Sequence, residues 1–353
     1  MEKVKILSIL RLSDSDKRKI EAVSPSLELV DAGGWFDGEY RDTWSQYATS
    51  RYVAKGSNGK GTRAERDALL ADAEIILASF PFPFDIRSRA PKLKWLHQRP
   101  AGASNLLDCD LWGSDVTVTT SRGLANAEPI AEWAIAGMMY FARDFNHAEA
   151  DSAAGNFEFR KYRAMMIRGK TACVIGAGGI GREVGRLCNA LGMNVVGTKR
   201  TAPVAGEPLP DGFSSIHPAD ALHKLLPSSD VVFVCCHWTP ETTNLMDAKA
   251  FAAMKPGGTL INVARGEIID EDAMLDVLDS GHLRGAALDV YVGEFERLPS
   301  DRMWKHPRIL ITPHVSNATD VNMHKGIDLF CEYLDDYLNG RPLRNVIDWE
   351  RTY

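Results

Sequence analysis

Nowhere in this chain does an uninterrupted apolar run approach the ~20 residues that a helix needs to cross a bilayer. No two cysteines stand in C-x-x-C spacing, which argues against a zinc ribbon or a dithiol redox pair. The six cysteines are scattered, and the adjacent Cys235-Cys236 suits a buried strand better than a disulfide, so a reducing, cytoplasmic setting is expected. Positive charge is not in excess: a net charge of -6 gives no electrostatic reason to expect nucleic acid or an anionic membrane as partner. The opening Met1-Glu2-Lys3-Val4-Lys5-Ile6-Leu7 enters a strand at once and lacks the apolar core and cleavage site of a signal peptide. No internal repeat is visible. The remaining composition is ordinary for a soluble globular protein, and 353 residues suffice for two domains with separate cores.

What is present starts halfway along. Thr171-Ala172-Cys173-Val174-Ile175 has β preference and runs into Gly176-Ala177-Gly178-Gly179-Ile180-Gly181. Val184, Leu187, Cys188 and Leu191 then follow at helical spacing. Strand, glycine turn and helix in that order are the context in which G-x-G-x-x-G reads as a dinucleotide site. Gly176 allows the tight turn, Gly178 lets backbone approach a pyrophosphate, and Gly181 lets the helix pack close to its strand. Free N–H groups at the helix start, over Gly179 and Ile180, would meet the phosphates.

Around this unit, strands alternate with helices, which implies parallel sheet. Before it come strands at Val4–Leu10, Leu27–Asp31, Ala73–Ser79, Leu93–Gln98 and Val116–Thr120, with helices at Ser15–Val23 and, within the hard-to-place stretch 33–61, over Tyr40–Lys55. A long apolar helix spans Glu128–Arg143, and a polar connection follows from Asp144 to Lys170. Later strands are expected at Asn194–Thr198, Val231–Cys236, Thr259–Ala264, Gly285–Tyr291 and Arg308–Thr312. The chain ends on a helix carrying Ile327, Leu329, Phe330 and Leu334, too short a tail to form a domain. The expected fold is α/β: a doubly wound, Rossmann-type nucleotide domain over 121–315, inserted into a flavodoxin-like substrate domain made of 1–120 and 316–353.

The second strand of a dinucleotide unit usually ends in an acidic residue that accepts from the ribose hydroxyls. Here Lys199, Arg200 and Thr201 fill that place, with Lys199 18 positions after Gly181. Two cations suit the extra phosphate of NADP, so NADP is favoured and NAD is kept as the alternative.

Three polar groups recur at strand ends of the second half: Arg265 after Leu260–Ala264, Glu294 after Leu288–Tyr291, and His314 after Leu310–Pro313. Ligands of open α/β sheets sit outside the carboxyl ends of the strands, so all three point to one crevice. Reducing a 2-oxo acid needs a fixed cation for the carboxylate, a proton donor at the carbonyl oxygen and a hydride source. An arginine fork can grip a carboxylate, and histidine beside a carboxylate favours its charged form. The expectation is that His314 protonates the developing alkoxide, Glu294 orients His314 (with Glu296 as the alternative for that part), and Arg265 clamps the acid. No metal is called for.

Asn262-Val263-Ala264-Arg265-Gly266-Glu267-Ile268-Ile269-Asp270 resembles the arginine signature of the D-isomer-specific 2-hydroxyacid dehydrogenases. Ala287-Leu288-Asp289-Val290-Tyr291 through Glu294 resembles that family's glutamate segment, and Thr312-Pro313-His314 its histidine segment. The likeness extends to Trp238-Thr239-Pro240-Glu241-Thr242 and to Leu93-Lys94-Trp95 through Ala101-Gly102-Ala103. It implies catalytic roles for Arg265, Glu294 and His314, cofactor contacts at Thr239 and Asp289, and substrate contacts from backbone around Ala101 and Gly102. It also implies a homodimer formed through the nucleotide domain, and a glyoxylate- or hydroxypyruvate-type substrate. Departures from the family pattern are Phe295 in place of the usual proline after the glutamate, and His237-Trp238 in place of Pro-Leu. Two alternatives stand beside this reading. A formate dehydrogenase-like enzyme is disfavoured because its histidine has an amide partner, and a protein of this fold that only senses NAD(P) would bind cofactor with little turnover.

Overall fold

The computed structural model describes residues 3–123, 126–204, 206–320 and 322–351, with side chains from 325 onward in the last stretch. The chain forms two compact units. The first comprises Met1–Ala125, Phe295–Arg297 and Thr319–Tyr353, and the second Asn126–Glu294 and Leu298–Ala318. Each is a parallel-sheet α/β layer structure, the fold class that alternating strands and helices imply.

In the first unit, β1 (Val4–Ser8), β2 (Leu27–Asp31), β3 (Ile75–Ala78), β4 (Trp95–Gln98) and β5 (Thr117–Thr120) lie in the order β2-β1-β3-β4-β5, all parallel. Alternate residues serve opposite faces. Leu7, Ile76, Leu96 and Val118 pack into one core, while Ile6, Ile75, Leu77 and Trp95 pack into the other. The second face is covered by the terminal helix Asn322–Leu338 through Ile327, Phe330, Tyr333 and Leu334, with Trp95 stacked on Phe330 at 5.4 Å.

The second unit holds β6 (Thr171–Ile175), β7 (Asn194–Lys199), β8 (Ser215–Pro218), β9 (Val231–Val234), β10 (Thr259–Asn262), β11 (Gly285–Leu288) and β12 (Ile309–Ile311). Their order is β12-β11-β10-β9-β6-β7-β8, so the direction of winding reverses between β6 and β9. That switch point opens a crevice outside the strand ends, where doubly wound sheets take ligands. Its central strands β6, β9, β10 and β11 are buried on both faces: Cys173, Val232, Leu260 and Ala286 face one core, and Val174, Phe233, Ile261 and Ala287 the other. The helix Ala127–Ala142 closes the latter core with Ile130, Ala134, Met138 and Phe141.

Local departures from the sequence reading have physical causes. The helix read over Tyr40–Lys55 is two, Asp37–Thr43 and Gln46–Tyr52. Trp44 turns extended between them, and Ser45 starts the second by accepting from the Ala48 N–H at 3.0 Å. The connection after Asp144 contains a helix, Phe145–Ala154, which buries no residue and so shows no apolar period. The edge strand β8 is polar, short and ends on a proline, which hides it from pattern reading. Conversely, the runs read to Ala264 and Tyr291 pair only to Asn262 and Leu288. Val263, Ala264, Val290 and Tyr291 stay buried in the loops beyond, so apolar burial outlasts the ladder.

Candidate active site

β6 delivers the chain into the glycine turn. Gly176 adopts φ +93°, and a Cβ there would come within 2.6 Å of the Cys236 backbone. A Cβ on Gly181 would meet the Gly176 carbonyl oxygen at 2.1 Å, so the helix Gly179–Ala190 can seat on its strand only with glycine there. Gly178 differs. It caps that helix without any side-chain hydrogen bond, and a Cβ on it would meet nothing within 4 Å. The helix start therefore presents uncapped N–H groups, including those near Gly179 and Ile180, to open space, which fits a pyrophosphate.

At the end of β7, Lys199 is half-buried, and Arg200 and Thr201 are exposed. Pattern reading missed one neighbour. Thr239 donates its hydroxyl to Glu241 Oε2 at 2.7 Å, and this bond, assisted by a backbone donor and the charge of Arg200, holds the Glu241 carboxyl below its ordinary range. A carboxylate thus stands within the field of Arg200, although none ends the strand itself. Thr239 is buried, and its N–H donates to the Thr242 hydroxyl at 2.8 Å.

Three adjacent strand ends carry the polar groups. After β10, Asn262 braces the turn by donating its amide to the Arg265 carbonyl at 2.9 Å and accepting from the Ala264 N–H at 3.0 Å. Arg265 Nη1 donates to the Ala264 carbonyl at 2.6 Å. Gly266 backs directly onto the segment after β11, where an added Cβ would lie 2.1 Å from the Tyr291 carbonyl carbon. That segment leads to Glu294, which is 4% exposed. After β12, His314 presents Nδ1 at 3.0 Å from each Glu294 oxygen, with its side chain 28% exposed.

His314 sits at φ +52°, a region costly for a residue with a Cβ. Asp289 enforces it. Its carbonyl accepts the His314 N–H at 2.9 Å. Its buried carboxylate takes the Thr312 hydroxyl at 2.5 Å, the Val315 N–H at 2.8 Å and the Ser316 N–H at 2.9 Å. What the structure displays for Asp289 is an anchor of the histidine loop. The positioning parts of Asn262 and Asp289 were legible only as an Asn and an Asp at strand ends, without their partners.

Ala101 and Gly102 lie in the first unit, on the loop after β4. Gln98 holds that loop by donating to the Gly102 carbonyl at 2.8 Å, and Asn105 braces Gln98 at 2.9 Å. Among the described residues the N–H groups of Ala101 and Gly102 have no protein acceptor. Thiol chemistry finds no support nearby, since burial pushes the Cys173 and Cys188 thiols up to about 12. Among the described residues no cluster of His, Cys, Asp or Glu could hold a metal ion, and no helix is long and apolar enough to cross a membrane.

A winding reversal beside an uncapped glycine turn, with a paired histidine on the same sheet edge, defines a dinucleotide-binding α/β protein. Residues 135–316 match the NAD binding domain of the D-isomer specific 2-hydroxyacid dehydrogenases, and the chain belongs to that family. It is 32% identical over 296 residues to D-3-phosphoglycerate dehydrogenase of Archaeoglobus fulgidus, covering 80% of this chain but 50% of the relative. The chain thus spans about half the length of the curated relatives it matches. Among solved structures it is similar to a D-isomer specific 2-hydroxyacid dehydrogenase from Xanthobacter autotrophicus in complex with NADPH and MES (TM-score 0.76, 24% identity, 100% of both chains). It is similar also to an NADPH-dependent glyoxylate/hydroxypyruvate reductase from Sinorhizobium meliloti in complex with NADP and sulfate (TM-score 0.75, 22% identity, 99% of this chain and 100% of that one). These two likenesses are ones of fold.

Proposed function

We propose that the chain reduces a small 2-oxo acid of the glyoxylate or hydroxypyruvate type to the D-2-hydroxy acid, using NADPH in preference to NADH. The observation that carries this reading is the His314 Nδ1–Glu294 pair at 3.0 Å, on the ends of the two strands that follow that of Arg265 across the sheet. When bound, a reduced nicotinamide supplies the hydride. Arg265 grips the substrate carboxylate and polarises the neighbouring carbonyl. His314, held through Nδ1, gives the proton on Nε2 to the carbonyl oxygen as the keto carbon gains the electron pair. Glu294 orients the ring and balances the imidazolium charge before transfer. Ala101 and Gly102 are assigned N–H contacts to the substrate, and the glycine turn holds the cofactor pyrophosphate. Lys199 and Arg200 supply charge for the 2′-phosphate of NADP. Homodimerisation through the nucleotide unit completes the proposal, supported by exposed Phe145, Phe157, Phe159 and Met166 on the segment after its long helix.

The test is loss of reduced-nicotinamide absorbance with NADPH and NADH in parallel, across small, dicarboxylic and aryl-bearing 2-oxo acids. Turnover of a small 2-oxo acid at least about tenfold better with NADPH supports the proposal. Equal or better use of NADH overturns the cofactor preference, and best turnover of an aryl substrate overturns the substrate class. Cofactor binding without turnover across the panel assigns the sensing role instead.

A further inference from the structure

We propose that the second unit carries an oxyanion site on the sheet edge opposite Arg265 and His314, built for a compact dianion such as a phosphate group. Arg284 and Arg308 stand immediately before β11 and β12, whereas Asp289 and His314 follow those strands. In a parallel sheet these are opposite edges, and strands of three or four residues separate them by about 10–13 Å. The site therefore shares no residue with the catalytic part of the reductase reading, while Asp144, His147 and Arg163 lie on the segment given there to the dimer surface.

Arg163, Arg284 and Arg308 line one cleft with Asp144 and His147, with a volume of about 180 Å³. Each guanidinium is fixed by backbone carbonyls. Arg308 Nη1 donates to Leu283 at 3.1 Å, Arg163 Nη1 to Arg160 at 2.6 Å and Tyr162 at 3.0 Å, and Arg284 Nη2 to Arg163 at 3.0 Å. Carbonyls hold the forks in place without neutralising them. Among the described residues one carboxylate answers the three cations: Asp144, which is buried and accepts from Arg284 Nη1 at 2.8 Å. Its second oxygen is taken by the Arg163 N–H. Among the described residues Arg163 and Arg308 pair with no carboxylate, and the buried Arg284 Nε has no acceptor.

Three prearranged forks against one anion leave the cleft with surplus positive charge and unmet donors. Guanidinium forks bind tetrahedral oxyanions bidentately, and a doubly charged guest would relieve their mutual repulsion. Asp144 holds the cluster rather than competing for the guest, because both its oxygens are already engaged. The shared chemistry covers free phosphate and the phosphate of a small phosphomonoester.

The experiment is calorimetric titration of the full chain with inorganic phosphate and, in parallel, glycerol phosphate, at fixed ionic strength and with chloride as control. Arg163→Gln and Arg308→Gln are the variants, since neither strands a buried carboxylate. The proposal expects one anion per chain, weakened about tenfold or more in each variant. Tighter binding of the phosphomonoester would assign the site to esterified phosphate. Binding unchanged in both variants and abolished by NADP would place the anion at the glycine turn and overturn the proposal. Affinity that falls as protein concentration rises would mean a second copy fills the cleft, which overturns it as well.

Discussion

Glu294 holds His314 symmetrically, with the ring Nδ1 3.0 Å from both carboxylate oxygens. That bond fixes the tautomer, leaving Nε2 as the nitrogen that can meet substrate. The carboxylate is buried while the imidazole is partly open, the arrangement of an orienting group behind a proton donor.

Glu294→Gln keeps an acceptor of similar shape and removes the charge. We expect kcat for 2-oxo acid reduction to fall about a hundredfold or more, with NADPH affinity within about twofold of the parent. Steady-state kinetics with a parallel cofactor titration checks this; unchanged kcat would remove Glu294 from the account.

Gly266 abuts the Tyr291 backbone at a distance no Cβ can tolerate. Gly266→Ala must therefore separate the Arg265 turn from the segment leading to Glu294. Thermal or denaturant unfolding should register a loss of about 1–3 kcal/mol, and substrate KM should rise with it. A variant of parental stability and KM would show that this close approach is not needed.

Two glycines of the same turn should behave oppositely. Gly178→Ala places a methyl in open space, so stability should stay within about 0.5 kcal/mol while NADPH binds about tenfold or more weakly. Gly181→Ala meets a backbone oxygen and should destabilise the unit itself. Calorimetry and cofactor titration on both variants separate the two effects, and equal behaviour would contradict the assignment of Gly178 to the pyrophosphate.

His97 is wholly buried on β4, its Nδ1 2.9 Å from the Thr119 hydroxyl, and burial pushes its imidazole down to about 3 from the usual 6.5. Native His97 is therefore neutral, whereas the unfolded chain takes up a proton below about pH 6.5. Stability falls as pH drops from there toward about 3, by up to tenfold in the unfolding constant per pH unit, and His97 contributes nothing to the slope above that window. Denaturant unfolding between about pH 7 and about pH 5 should show this slope in the parent and one proton less of it in His97→Gln. Identical slopes would mean that the imidazole is charged in the fold.

Much of this was legible in the sequence because it rests on local signals. The strand before Gly176 is apolar and bounded by glycines, and Arg265 and His314 follow runs that can only be strands. The acidic partner of His314 could be named because it, too, follows such a run. Other parts depend on contacts no local pattern records. Asn262 and Asp289 act through hydrogen bonds to turns that exist only once the strands have paired. Glu241 reaches the field of Arg200 from a loop some 40 positions on. The helix Phe145–Ala154 buries nothing, so no periodicity announced it. The cation cluster around Arg284 gathers Arg284 and Arg308 from the starts of two strands and Arg163 from the connection before β6, where sequence spacing carries no signal.

The most direct test of the central claim is single-turnover reduction of a 2-oxo acid by NADPH-loaded parent and His314→Gln. The account predicts rapid consumption of NADPH in the parent and a loss of about a hundredfold or more in the variant, with the cofactor still bound and the product of the parent in the D form. Undiminished turnover in His314→Gln, or none in the parent with any 2-oxo acid, would contradict it.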